Sequence, residues 1–563
     1  MAGGLLNIIS EGNQNIILNG NPSKTFFKSI YAKHTNFGIQ KFRMDMEGQR
    51  TLKLNEDTIV SFKLKRQADL ILDTYLVMNL PDIWSPIIPP EDFTDCWKPY
   101  EFKWIEHIGF NIIKNAKLTI GGQKIQEFSG EYLKNLIDRD YTTGKKETIY
   151  KMIGHTNELN NPANAYGRPN RYPSAFYVPE VIDGPEPSIR GRKIYIPLHF
   201  WFMNSPKMAL PLNCIQYADV QIELTLRPVY ELYTINDVSI SKSDGFIRDF
   251  IQPNPRNDLH SLYRFIQKPP DIQLSASSYE SKPTGWNDDI HLLVTYAFLT
   301  AEENRVFAAK EQTYLIKDIR EDTFHETAGN KRIKIQSNGL VSSWMWFLRR
   351  SDAYKRNQWS NYTNWKYGQL PYDVEEAPYE SSLLINNQLI GPGQDFISIL
   401  DYTTNESIYQ LYSTNYYINP TQTAENIKDI MTSMSIIFDG TYRETNFHSG
   451  VYNLVEKYKC SNGSSNDGLY CYNFSITTSP FDLQPSGAIN LSRFKTIELE
   501  MTTLIPPLDP SANFNVICDT EGRAIGVVNA ESIYLYSYDL YFIEEKYNVL
   551  RVIGGNAGLL YAR

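Results

Sequence analysis

The eight histidines have the widest chemical range in this sequence, because imidazole serves as a metal ligand and as a general acid or base. A shared metal ion usually needs two of them in a spacing such as HxH or HExxH, and neither spacing occurs. One of them, His199, lies in an apolar run, where a hydrogen-bonded core histidine is the better interpretation. The sequence therefore predicts no metal site and no cofactor. The histidines are His34, His107, His155, His199, His260, His291, His325 and His448.

The glycine and serine patterns do not match those of nucleotide-binding or hydrolytic sites. Gly144-Lys145-Lys146 lacks the upstream glycine and the hydroxyl of a phosphate loop, and the glycines of residues 554–558 lack the GxGxxG spacing. No GxSxG elbow occurs, so nothing guides the choice of a Ser-His-Asp set. A cupin-like metal enzyme would share the fold class derived below, but a fold class alone does not imply that chemistry. We predict no catalytic residue and no enzymatic activity.

The five cysteines are too few and too dispersed for a disulfide framework, and none belongs to a CxxC pair. Cys460 and Cys471 flank the turn-like segment SNGSSNDGLY and could pair across a hairpin. Reduced thiols are the favoured alternative, because the first twenty residues lack the basic start and apolar core of a secretory signal. We expect synthesis and folding in the cytosol. The cysteines are Cys96, Cys214, Cys460, Cys471 and Cys518.

Five N-x-[ST] sequons occur, all in the second half of the chain, and they are the candidate glycan attachment sites. An asparagine-rich chain also produces this number by chance, and the missing signal argues against conventional N-glycosylation. The five asparagines are Asn361, Asn405, Asn462, Asn473 and Asn490.

The charge distribution argues against direct binding of nucleic acid. The formal net charge is -9 and the basic residues are scattered, so no field attracts a phosphate backbone. Residues 19–48 do alternate basic and aromatic side chains, a pattern that can bind single strands by stacking. In an acidic chain, a first strand with solvated lysines is the better interpretation. No run of eighteen apolar residues occurs, so we predict no transmembrane segment.

The composition and the alternation of apolar residues favour a β-rich fold. Aromatic residues make up 13% of the chain, alongside 30 prolines and 32 glycines, which favours strands joined by turns. Residues 220–226 alternate apolar and polar side chains and end at Pro228, as a strand with one wet face does. A similar alternation recurs at residues 497–501. Two large β-domains of similar build are therefore expected.

The predicted organisation has four parts. Residues 1–23 form an N-terminal arm, residues 24–230 a first domain, residues 231–250 a linker and residues 251–563 a larger second domain with long loops. Short helices are predicted at Glu131–Asp140 and near Glu425–Met434. Polar loops are predicted at 141–191, 350–382 and 401–430. In the second domain we predict strands at 292–299, 331–335, 340–348, 435–438, 473–477, 496–504, 532–543 and 549–553.

Five ordered blocks of sequence resemble the major capsid proteins of nucleocytoplasmic large DNA viruses. The first block, ILNGNPSKTFFKSIYAKHTNFGIQKF at residues 17–42, resembles the opening of these proteins. The later blocks are Ala209–Leu212 with Gln216-Tyr217, Asn357–Trp365, Pro485–Arg493 and Tyr547–Val552. The extra length of this chain in its loops departs from the commoner members. The matching residues of the first block are Gly20, Asn21, Pro22, Thr25, Phe26, Phe27, Lys28, Tyr31, His34, Thr35, Asn36 and Phe37.

The resemblance implies an all-β fold of two consecutive eight-stranded antiparallel jelly-roll sandwiches, with long loops and a few short helices. It further implies a homotrimer that forms a pseudo-hexagonal capsomer, and capsomers that tile an icosahedral shell over an internal membrane. Neighbouring capsomers and minor capsid proteins would be the partners, and the virion capsid the location. The chain would be made in the host cytoplasm.

Two alternatives remain open at this point. A related scaffold or minor capsid protein would have the same fold but would template a membrane or occupy special positions. A β-sandwich that binds host glycans could use surface aromatic residues such as Trp359 and Trp365.

Overall fold

The structure is a computed structural model of the chain. It describes residues 3–10, 12–48, 51–88, 98–167, 172–175, 185–236, 250–270, 276–368, 427–509, 520–521, 523 and 533–561, and the backbone of the further strands 374–376, 395–401, 406–412, 416–418, 515–518 and 524–528. Strands dominate both halves of the chain.

The strands up to Leu299 build the first half. They are β1 (Phe37–Asp45), β2 (Thr58–Lys63), β3 (Leu70–Leu80), β4 (Ile87–Ile88), β5 (Lys98–Pro99), β6 (Phe102–Trp104), β7 (Ile113–Ile120), β8 (Gln123–Phe128), β9 (Arg192–Pro197), β10 (Leu210–Pro211), β11 (Val220–Leu226), β12 (Tyr233–Asn236), β13 (Phe250–Ile251) and β14 (His291–Leu299).

The remaining strands build the second half. They are β15 (Gln312–Phe324), β16 (Asn330–Ile335), β17 (Leu340–Arg350), β18 (Val374–Glu376), β19 (Asp395–Asp401), β20 (Glu406–Tyr412), β21 (Tyr416–Ile418), β22 (Met431–Phe438), β23 (Thr441–His448), β24 (Leu469–Asn473), β25 (Ile489–Asn490), β26 (Ile497–Thr503), β27 (Asn515–Cys518), β28 (Ala524–Val528), β29 (Tyr538–Ile553) and β30 (Asn556–Leu559).

The helices in the described part of the chain are short. They are α1 (Leu5–Ile9), α2 (Ile16–Asn19), α3 (Ile108–Asn111), α4 (Gly130–Asp140), α5 (Thr143–Met152), α6 (Asn157–Asn160), α7 (Ala301–Ala309) and α8 (Glu456–Cys460), which continues a π-helical turn at Val451–Val455.

Each half folds into a sandwich of two antiparallel sheets. In the N-terminal sandwich, one sheet has the order β1-β14-β3-β10, with β9 also paired to β3, and the other has the order β2-β11-β7-β8. In the C-terminal sandwich, the sheet β15-β29-β17-β24 faces the sheet β16-β26-β22-β23. The alternation in residues 220–226 is confirmed, because the apolar side chains of β11 are buried and the polar ones are half-buried. Counting the four strands on the main path of each sheet, each sandwich has eight principal strands.

The two sandwiches share part of one apolar core. The larger buried cluster contains most of the N-terminal sandwich and also Tyr314, Met345, Phe347 and Ile543 of the C-terminal sandwich. A second cluster of buried apolar side chains, among them Trp344, fills the interior of the C-terminal sandwich. The sheet of β15, β29, β17 and β24 therefore buries both of its faces, one in its own sandwich and one against the other sandwich.

The structure corrects the predicted domain boundaries. Strand β14, at residues 291–299, lies between β1 and β3 in the N-terminal sandwich, beyond the expected limit at residue 230. Residues 233–236 of the expected linker form the buried strand β12, which pairs with β6. The boundary differs because alternation predicts that a segment is a strand but not which sheet it joins. Residues 237–249 lie outside the described residues.

Four local predictions are also corrected. The expected helix near Glu425–Met434 ends in the strand β22, whose β-branched and apolar residues pair with β26; residues 425–426 lie outside the described residues. The strand expected at 473–477 runs instead over Leu469–Asn473, and the two strands expected at 532–543 and 549–553 are one strand, β29. Helix α5 occupies part of the expected loop 141–191. The helix predicted at Glu131–Asp140 is confirmed as α4.

Candidate functional site: the interface between the sandwiches

Helix α4 is the central element of the interface between the two sandwiches. Its N-terminus is capped by Ser129, whose Oγ accepts a hydrogen bond of 3.0 Å from the Tyr132 amide. The first turn can approach the N-terminal sandwich closely because it begins with Gly130, where a Cβ atom would lie 1.9 Å from the Phe110 carbonyl oxygen. All eleven residues of α4 are buried, although five carry charges. Those charges must therefore be paired within the protein.

The guanidinium of Arg139 joins α4 to the C-terminal sandwich. It donates to Asp140 at 2.7 Å, to Glu545 of β29 at 2.9 Å and to Ser343 of β17 at 3.2 Å. Lys317 of β15 binds the other carboxylate oxygen of Glu545 at 3.0 Å. Burial alone would raise the pKa of Glu545, but the positive charges of Arg139 and Lys317 lower it to about 2. Two cations and two carboxylates thus neutralise one another inside the interface.

A second buried ion group lies at the other end of α4. Glu131 accepts from Arg349 of β17 at 2.8 Å and from Arg227 at 3.3 Å. The two guanidinium groups lie 5.4 and 4.2 Å from the ring centroid of Trp359. The indole nitrogen of Trp359 donates to the Glu231 carbonyl oxygen at 3.0 Å. Trp359 is therefore part of the interface, which counts against the alternative in which it binds glycans.

A third group fastens the loop before β24 onto α4. Lys134 pairs with the buried Asp138 at 3.1 Å, and the Asp138 carbonyl oxygen accepts from Lys146. Lys146 also donates to Ser464 at 2.6 Å, and the Gly463 amide donates to the Arg139 carbonyl oxygen at 2.8 Å. These contacts hold the two sandwiches in one relative position. The arrangement suits a rigid building block, because each of these charges is bound by protein groups.

Three of the histidines, His107, His155 and His199, occupy structural positions. His107 and His155 stack at 3.8 Å between ring centroids, and burial lowers the pKa of His155 to about 4 and that of His107 well below its usual value. His199 follows β9, close to the hydroxyl of Tyr141 at 3.2 Å, and burial lowers its pKa to about 4. In the described part of the chain, no three His, Cys, Asp or Glu side chains are placed to hold a metal ion.

The sequons differ in accessibility. Asn361 is buried and donates to the Trp365 carbonyl oxygen at 2.9 Å, while half-buried Asn473 donates to Glu456 at 3.2 Å. Asn462 and Asn490 are exposed. Asn405 lies outside the described residues. Among the candidates with described side chains, only Asn462 and Asn490 therefore present an open surface.

Cys460 and Cys471 are both buried as free thiols, so the alternative of a disulfide between them is not what the structure contains. Burial raises the pKa of Cys471 to about 11. The side chains of Cys96 and Cys518 lie outside the described residues. None of the helices in the described ranges is long and apolar enough to cross a bilayer.

Sequence reasoning missed the buried ion groups. The partners Arg139 and Glu545 are 406 positions apart, and no periodicity links such positions. The available signal was the composition of α4, which carries charged residues around a helix that must pack between sheets. A helix with this composition has to find partners for its charges when it is buried.

Comparisons with known proteins identify the family. Residues 25–264 match the family model described as the major capsid protein N-terminus, and residues 303–558 match that of the large eukaryotic DNA virus major capsid protein. The major capsid protein of Phaeocystis pouchetii virus is 23% identical over 592 residues, which cover 100% of both chains. That of Paramecium bursaria Chlorella virus 1 is 24% identical over 565 residues, again covering 100% of both.

Solved structures agree with this assignment. A quasi-atomic model of the PBCV-1 virus capsid matches with a TM-score of 0.57 at 18% identity, covering 96% of this chain and 100% of that chain. The Faustovirus major capsid protein matches with a TM-score of 0.60 at 14% identity, covering 94% and 93%. Both are double jelly-roll proteins, so the predicted fold class is confirmed. The chain belongs to the family of major capsid proteins of large eukaryotic DNA viruses, and it serves as a structural protein of the virion capsid, not as an enzyme.

Proposed function

We propose that three copies of this chain join into a capsomer with a pseudo-hexagonal outline. The observation that carries the proposal is the rigid pairing of two similar eight-stranded sandwiches in one chain. A closed threefold assembly of such chains contains six similar domains around one axis. An object with six nearly equal sides can tile a surface, as a shell requires.

Native mass spectrometry of the purified full chain tests this proposal. We expect a species of three times the chain mass of 64.9 kDa, stable over a dilution series into the nanomolar range. A permanent interface of this kind usually buries more than about 2,000 Å². A monomer at every concentration would refute the trimer.

In the virion, these trimers would contact neighbouring capsomers and minor capsid proteins beneath the shell, with an internal membrane below. Synthesis would take place in the host cytoplasm. The amount of this chain in the virion distinguishes this role from that of a scaffold or minor capsid protein. Gel staining of purified virions should show the chain as a dominant band, and a trace band would favour the minor role.

A further inference from the structure

The two sandwiches share the positions of single-residue register shifts in corresponding strand pairs. Where β14 pairs with β3, one residue bulges between Ile71 and Asp73, and where β29 pairs with β17, one residue bulges between Val341 and Ser343. The bulges stand at the same distance from the start of each strand. A bulge shifts the pairing of every residue beyond it, so a shared position fixes a common alignment.

The sheets that face these two also have a register shift at matching positions. The pairing of β11 with β7 shifts at Thr225–Leu226, and that of β26 with β22 shifts at the last two residues of β26 in the same way. Under this alignment β8 corresponds to β23, β1 to β15, and Phe128 at the end of β8 to Phe447 near the end of β23. Helix α4 then corresponds to the helical segment 451–460 (the 451–460 segment), which directly follows β23.

Within the chain, β8 and α4 are packed against the outer face of the β15 sheet. Gln126 donates to the Lys317 carbonyl oxygen at 3.0 Å, and the Ser129 amide donates to Glu321 at 2.9 Å. Arg139 of α4 completes the contact at Ser343 and Glu545, as described above. The N-terminal sandwich thus offers β8 and α4, and the C-terminal sandwich offers the face that receives them.

The docking counterpart is uncovered in the single chain, and the receiving face is exposed along β1 and at Tyr195, while Thr295 within that face is buried. The 451–460 segment exposes Leu454 by 57%, Val455 by 55% and Tyr458 by 93%, and none of the residues of β23 is buried. On the receiving side, the β1 sheet exposes Ile39 by 56% and Tyr195 by 38%. Apolar side chains at this exposure mark an interaction surface when they occur together.

We propose that β23 and the 451–460 segment of one copy dock on the outer face of the β1 sheet of a second copy, repeating between chains the contact that β8 and α4 make within the chain. The inference rests on the proposed trimer and assigns its interface. Each copy carries one docking surface and one receiving surface, so the contact is head-to-tail. Such a contact closes into a ring when its rotation divides a full turn, and three copies supply six domains for that ring.

The corresponding residues predict the chemistry of this contact. Tyr458 lies as far beyond Phe447 as Arg139 lies beyond Phe128, and the strand pairings match Thr295 to Glu545 and Ile39 to Lys317. Three positions that are charged in the interface within the chain therefore have neutral counterparts in the contact between copies. Charges remain elsewhere in the contact, because the counterpart of Ser343 is Asp73 and the 451–460 segment carries Glu456, Lys457 and Lys459.

Mutation of the docking surface is the first test. After native mass spectrometry of the wild type, the double variant Leu454→Asp/Tyr458→Asp should shift the population to monomer, with association weakened at least about tenfold. The matched control is Ile59→Asp, which changes an apolar residue exposed by 68% on β2. It should leave the trimer intact. A native far-UV circular dichroism spectrum and a cooperative unfolding transition in the monomeric variant exclude simple unfolding, since loss of the trimer by itself lowers the melting temperature.

Cysteine cross-linking is the second test and does not depend on losing the trimer. Asp73 corresponds to Ser343, which Arg139 contacts, so Tyr458→Cys combined with Asp73→Cys should give a covalent trimer with a short bismaleimide. Tyr458→Cys combined with Ile59→Cys should not. A wild-type monomer would refute the trimer itself. If the wild type is a trimer, the aspartate variant remains a trimer and the cysteine variant gives no specific cross-link, this interface alone is refuted.

Discussion

Removal of the Arg139 guanidinium should destabilise the joined sandwiches more than removal of any exposed arginine. The variant Arg139→Met keeps most of the side-chain volume but leaves buried Asp140 and Glu545 with Lys317 as their remaining cation. The pKa of Glu545, about 2 against an ordinary value of 4.5, corresponds to roughly 3 kcal/mol of net interaction with Arg139, Lys317 and Ser343 together. Breaking a buried ion group by removing one member costs about 3–5 kcal/mol in general. We therefore expect a loss of about 3 kcal/mol.

Urea denaturation of the purified chain, followed by tryptophan fluorescence, measures this loss as a shift of the first unfolding transition. The matched control is Arg332→Met, since Arg332 is exposed and pairs with Glu498 at 2.9 Å on the surface. The control should change the free energy of unfolding by less than about 1 kcal/mol. Equal effects of the two variants would refute the reasoning.

A double variant and a pH series separate charge from packing. Adding Glu545→Gln to Arg139→Met should recover about 1 kcal/mol or more, because the neutral amide leaves fewer unpaired charges. Because the folded pKa of Glu545 lies below 4.5, its stabilising contribution is present above pH 4.5 and is lost as the pH falls towards 2. This part of the acid dependence should shrink in Arg139→Met.

Two further predictions concern the stacked histidines and the sequons. Because burial lowers the pKa of His155 to about 4 and that of His107 well below its ordinary value of 6.5, the stability of the neutral pair is fully present above pH 6.5 and is lost as the pH falls towards 4. His155→Gln should flatten the dependence of the melting temperature on pH over this window. The same change at His34, which is exposed in the N-terminal arm, should leave that dependence as it is in the wild type. An unchanged slope in His155→Gln would count against the buried pair as its source. We also propose Asn462 and Asn490 as the acceptors of N-linked glycan, because their side chains are exposed. Peptide mapping of virion protein should find sugar at these positions, and sugar at buried Asn361 would contradict the assignment.

Alternation and turn residues are local signals, so they predicted two β-rich domains, whereas the jelly-roll fold was implied by the family resemblance. Strand β11 and helix α4 were both recognised from their own residues. The sheet that a strand joins is harder to predict from the sequence. The residues of β14 indicate a strand, but its partners β1 and β3 lie more than 200 positions away. The charged clusters around Arg139 and Glu131 were missed for the same reason.

The proposed docking and receiving surfaces could be identified only from the strand registers of both sandwiches. Single bulged residues align the two halves, and a bulge leaves no mark in composition or periodicity. The run Ile-Glu-Leu occurs at both 222–224 and 497–499, but the two runs are not equivalent, since the pairing registers match Val220 to Ile497. The apolar faces of both strands nevertheless agree, because the displacement is an even number of residues.

The pairing of β1 with β14 has a consequence for synthesis on the ribosome. Arg43 of β1 and Asp289 beside β14 are 246 positions apart in the chain. At a translation rate of about 5–20 residues per second, β1 waits roughly 10–50 s for the strand that completes its sheet. Throughout that interval, nascent strands of the first sandwich present unpaired edges and apolar faces to their surroundings. High-level production of this chain should therefore place a heavy load on the chaperones that shield emerging polypeptides.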